Sequence, residues 1–84
     1  MNEILHTRLT SLWPKILGFS SVTGRDLRRM YAGATMLWTE MSKEHVECRR
    51  LGKNTPKFND LTAKLETSID TLEQYLVVAT LLNG

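Results

Sequence analysis

The sequence predicts an all-α fold, a short kinked N-terminal helix packed on a long antiparallel helical hairpin. Three observations carry this. Apolar residues recur at spacings of three and four in three separate stretches, the mark of helical faces. Gly18, Gly52 and Pro56 stand where such stretches stop and start. About four residues join the second stretch to the third, and so short a connection makes them antiparallel neighbours. With 84 residues the chain reads as a single domain, 1–84. A core this small supplies only ~3–5 kcal/mol of stability, so assembly of several copies into a larger helix bundle is expected.

The first helix is expected from Asn2 to Leu17, with Asn2 as its cap and Glu3 in its first turn. Leu5, Leu9, Leu12 and Ile16 form one face, with Ile4 and Trp13 beside them. Pro14 has no N–H and its ring presses on the Thr10 carbonyl, so a kink or break is expected near residues 12–14. Gly18 is the stop, and residues 19–23 read as a connector.

The second helix opens at Thr23-Gly24-Arg25-Asp26, where threonine and a carboxylate three residues later resemble a capping box. Its seam is Leu27, Met30, Ala34, Leu37, Met41, Cys48 and Leu51, with one beat missing at Glu44. Tyr31, Trp38 and His45 flank the seam seven residues apart. Gly52 ends the helix after Arg49 and Arg50, whose charge suits the dipole there. About 28 residues at 1.5 Å each make it ~42 Å long.

The third helix follows Asn54-Thr55, with Pro56 as a first-turn proline. Phe58, Leu61, Leu65, Leu72, Tyr75, Ala79 and Leu82 give a seam of near-3.5 period, polar only at Ser68; Ile69, Leu76 and Asn83 flank it. Residues 25–53 carry seven basic and four acidic groups, whereas residues 54–84 carry two basic and four acidic ones. A basic helix beside an acidic one sets register and choice of neighbour more than stability.

Composition removes whole classes of function. With 42% hydrophobic and 24% charged residues, the chain is neither disordered, collagen-like nor a disulfide scaffold. One cysteine cannot form an internal disulfide, which points to a reducing, cytoplasmic setting. The longest apolar run, Tyr75–Leu82, is far shorter than the roughly 18 residues of a membrane span. The opening residues do not read as a signal peptide, and no membrane partner is expected. Catalytic constellations, P-loops and dinucleotide fingerprints are missing, so no enzyme and no cofactor are expected. His45 and Cys48 share a helical face, with Glu44 and Glu47 nearby, but a closed zinc site needs four ligands. Burial of Cys48 in the core, with His45 at its margin, is the plainer reading, and no metal is expected.

Two features point to binding. Arg25, Arg28 and Arg29 lie in the first turns of the second helix, where the dipole disfavours cations and free N–H groups attract anions. If the first helix folds back, Trp13 adds a stacking surface and Lys15 another charge, making a site for a small anionic nucleotide. The alternative is a solvated basic face balanced by Asp26 and by acids of a neighbouring subunit. Arg49, Arg50, Lys53 and Lys57 surround the hairpin tip, but a net charge of +2 and the lack of a basic stripe argue against nucleic acid. The second feature is the helix end from Tyr75 to Leu82, apolar around its whole circumference. One hairpin and a short helix cannot cover it all, so Tyr75, Leu76, Val77, Val78 and Leu81 are candidates for a subunit interface. Its antiparallel neighbours are expected at residues 27–34, where Gly33 permits close approach of another helix. The first helix covering the whole run is the alternative.

The stretch Leu61-Thr62-Ala63-Lys64-Leu65-Glu66-Thr67-Ser68-Ile69 resembles the second hairpin helix of the anti-CBASS cyclic-nucleotide sponges, and Tyr75 to Leu82 resembles the small, apolar end of that helix. The resemblance covers about a quarter of the chain, with Ala63 as an extra residue before Lys64 and a longer hairpin tip. It implies a small viral protein in the host cytoplasm that oligomerises through its hairpins. Such a protein sequesters cyclic di- or trinucleotide signals without cleaving them. Lys64, Leu65 and Glu66 match the motif and carry a scaffold role; the base and phosphate contacts are not transferred by it. The second function expected from the residues is a structural or adaptor protein. Its apolar C-terminal helix would enter a larger assembly, such as a phage particle, or engage a host protein.

Overall fold

Helical periodicity in all three stretches becomes three helices in the computed structural model, which describes residues 3–83. They are α1 (Glu3–Leu17), α2 (Ser21–Leu51) and α3 (Pro56–Asn83), with no strand among the described residues. The fold is all-α, as expected. The Asn2 cap lies outside the described residues. The molecule is a rod of 48 × 17 × 16 Å. α2 and α3 pair antiparallel along it, and α1 lies beside the half away from the hairpin tip. His6 packs on Trp38 and Trp13 on Tyr31, so α1 runs antiparallel to α2. Arg8 reaches Asp70 and Glu73, both at 2.6 Å, which ties α1 to α3.

Leu5, Leu9, Leu12 and Ile16 are all buried, as their spacing requires. The helix continues through Pro14 without a break. Thr10 and Pro14 both face solvent, so the carbonyl that loses its N–H partner there remains open to water. Side-chain hydroxyls support this face: Thr10 donates to the His6 carbonyl at 3.0 Å and Ser11 to the Arg8 carbonyl at 2.9 Å.

α2 begins at Ser21, two residues ahead of the expected Thr23. The capping box does not form. Ser20 is the cap position, without a side-chain cap bond, and Thr23 lies inside the first turn. The connection shrinks to Gly18–Ser20 because Gly18 and Phe19 N–H groups donate back to the last carbonyls of α1, Lys15 and Ile16. Gly24 makes so tight a junction possible. A Cβ at this buried position would overlap the Phe19 carbonyl.

The hairpin tip matches expectation closely. Gly52 adopts φ 74°, and its N–H and that of Lys53 both reach the Cys48 carbonyl. Thr55 caps α3, accepting a bond from the Phe58 N–H at 3.1 Å, with Pro56 first in the helix. The missing beat of the α2 seam acquires a purpose here: the Thr55 hydroxyl donates to the Glu44 carboxylate at 2.6 Å. Cys48 is buried and accepts from the Thr55 N–H at 3.4 Å, while His45 packs on Phe58.

The α3 seam departs from expectation in its second half. Ile69 and Leu76 are buried, while Tyr75 and Leu82 are exposed. The buried positions run 58, 61, 65, 69, 72, 76 and 79, still in steps of three and four, and the difference is one of phase: Ile69 and Leu76 take the places expected of Ser68 and Tyr75. Leu51, assigned to the α2 seam, is the last residue of α2 and is 45% exposed. The expected attraction between a basic α2 and an acidic α3 yields no ion pair between them among the described residues. α2 pairs its charges internally, Lys43 with Glu40 and Arg50 with Glu47, and the bridge to α3 comes from α1.

Candidate functional site

Three elements meet at the end of the rod opposite the tip: the last turns of α1, the first turns of α2 and the end of α3. Leu17, Val22, Val77, Val78, Leu81 and Leu82 are each more than half exposed there. Arg25, Arg28, Arg29 and Lys15 stand around them, and none has a carboxylate within ion-pair distance among the described residues. From Ser11 to Tyr31 the chain carries four basic groups and one acidic group, and from Gln74 onward none.

The structure divides the expected anion site. Trp13 and Tyr31 pack on the α1–α2 flank with ring centroids 4.9 Å apart and planes tilted by 40°. Arg28 lies one turn from Tyr31 on that flank, and its guanidinium donates to the Phe19 carbonyl at 3.5 Å. Arg25 and Arg29 continue the exposed face of α2. Burial against α1 pushes the Tyr31 phenol above its ordinary pKa, so it stays a neutral donor. Lys15 is not part of this group. It projects from the other side of α1, into a groove against α3 of about 590 Å³ shared with Phe19, Val77 and Leu81.

The apolar end also resolves into parts. Leu76 is buried in the core and leaves the expected interface set; Tyr75, Val77, Val78 and Leu81 remain exposed. Register differs from expectation too. Thr62 bonds Met41 and Leu37 faces residues 63–68, so continuing the pairing sets residues 75–82 opposite residues 21–28. Gly24 is therefore the small residue of that stretch, and Gly33 faces open space on the outer surface beside exposed Met36. Sequence reasoning missed Gly24 because it stood inside an assumed cap. Its signal is a second glycine six residues after a helix stop.

Among the described residues, no three metal-ligating side chains come together. Among the described residues, no helix is long and apolar enough to cross a membrane. No protein-family model, curated protein or solved structure matches the chain.

Proposed function

We propose that the chain is a non-catalytic binding protein that assembles through the apolar end of α3 and sequesters a small cyclic nucleotide, as a viral sponge for an immune signal does. One observation carries the ligand: an aromatic pair, Trp13 on Tyr31, has Arg28 one turn away and Arg25 and Arg29 on the exposed face of the same helix, and no described carboxylate neutralises these charges. A ring surface can stack a base, and guanidinium groups bind phosphate bidentately. Assembly is supported by the exposure of Val78, Tyr75 and Leu82 and by the free surface at Gly33. Calorimetry with cyclic di- and trinucleotides is expected to give micromolar or tighter binding, weakened by salt and lost in Arg28→Glu. No heat with any of them removes the reading.

The exposed Val77, Val78, Leu81 and Leu82 also favour a second reading, an adaptor whose α3 end enters a larger protein assembly. That reading requires Val78→Asp to abolish capture of a protein partner. Light scattering bears on both: a monodisperse monomer counts against assembly through α3.

A further inference from the structure

We propose that the groove between α1 and the end of α3 is a second site, for a small amphipathic monoanion whose apolar body lies on Leu12, Phe19, Leu76, Val77 and Leu81 and whose head meets Lys15. The groove has about 590 Å³, within the range of small-ligand sites at roughly 300–1,000 Å³. Its floor is the outer edge of the core, where Leu12 and Leu76 are buried, and its lip is the exposed Leu81. All its walls come from one chain, so it is complete without assembly.

Its polar groups specify the sign of the ligand. Glu73 borders the groove with its carboxylate engaged by Arg8 at 2.6 Å; Arg8 also holds Asp70, which does not line the groove, so the three groups together keep one negative charge beside it. The two hydroxyls give their protons to the backbone, Ser11 to the Arg8 carbonyl and Thr80 to the Leu76 carbonyl at 2.8 Å. Lys15 alone among the lining groups keeps an uncommitted charge and donors. One cation above an apolar floor complements one anionic head on an apolar body. A second copy of the chain fits less well. Its own open end brings four basic groups against one acidic group, a net +3 that would face Lys15. Tyr75, Val78 and Leu82 do not line the groove, so a small occupant leaves them uncovered.

Dodecanoate, titrated into the full chain below its aggregation concentration, is the probe. Calorimetry is expected to show one ligand per chain. Lys15→Glu should weaken binding about tenfold or more, and Lys15→Arg should retain it, because a charged head on an apolar site depends on its counter-charge. Leu81→Asp should abolish binding, and Lys57→Glu at the far tip should leave it unchanged. Dodecyltrimethylammonium should not bind. Both Lys15 and Leu81 are exposed, and helicity by circular dichroism checks that the variants fold. The proposal is overturned by the absence of heat, by equal affinity in Lys15→Glu, or by loss in Lys57→Glu. Several ligands per chain without saturation would overturn it as non-specific partition. Failure of dodecanoate on a protein of dimeric or greater mass would assign the groove to a second copy and overturn it too.

Discussion

The two ends of the rod are built to different standards. At the tip, two helices suffice: Met41, Cys48, Phe58 and Leu61 are buried, and Thr55 closes the turn onto Glu44 and Cys48. Some of the charges there are paired along the helices, Arg50 holding the Glu47 carboxyl below its ordinary value and Lys64 meeting Asp60, while Arg49, Lys53 and Lys57 have no carboxylate within ion-pair distance among the described residues. At the open end three helices are present, yet large apolar side chains remain in solvent beside unpaired cations. An additional helix should improve coverage. It does not here, because α3 is apolar on all sides from Tyr75 to Leu82 and a helix meets two neighbours on only part of its circumference. Incomplete coverage is thus a property of the α3 sequence, and the proposed assembly rests on it.

The comparison breaks most clearly under a pair of truncations. Met41→Ala empties a fully buried position in the two-helix half and should cost about 2–5 kcal/mol by denaturant unfolding. Leu81→Ala at the open end should change the stability of the single chain by no more than about 0.5 kcal/mol. Equal costs would mean that the open end is as well covered as the tip. Next in size is the clasp. Thr55→Ala removes a helix cap and the donor to Glu44 together, at an expected ~1–2 kcal/mol. A loss near zero there would show that Gly52 and Pro56 alone set the turn.

The smallest effect is a pH dependence seated at the open half. Burial raises the pKa of Tyr31, so the folded state holds the phenol proton more tightly than the unfolded chain. The stabilisation is present below the ordinary tyrosine value of about 10 and is lost as pH rises through the folded value. In Tyr75→Phe protein, an ultraviolet titration should find Tyr31 ionising later than free tyrosine, with the melting temperature falling over the same interval. Simultaneous ionisation would mean that α1 does not cover Tyr31 in solution.

Much of the scaffold was legible in the sequence. Leu5, Leu9, Leu12 and Ile16 announced the buried face of α1, and Gly52, Thr55 and Pro56 announced the turn. These are local signals: a periodic face, a left-handed glycine, a hydroxyl before a proline. The candidate site was less legible. Arg25, Arg28, Arg29, Trp13 and Lys15 were named together from the sequence, but the structure sets Lys15 on the other flank of α1. Two positions apart on a helix is about 200° of rotation, enough to send Trp13 and Lys15 to different grooves once neighbours occupy both sides.

By itself, then, the sequence determined that there are three helices, where α1 and α2 stop, and that one end of α3 carries more apolar surface than its neighbours can bury. Those properties depend on residues within a turn or two of one another. Tertiary structure decided the rotation of α3 that buries Ile69 and Leu76 while turning Tyr75 and Leu82 outward. It also decided the early start of α2 over Gly24, and on which flank each cation stands. A helix pattern leaves rotation about its own axis uncertain by tens of degrees, and only the packed neighbours remove that freedom.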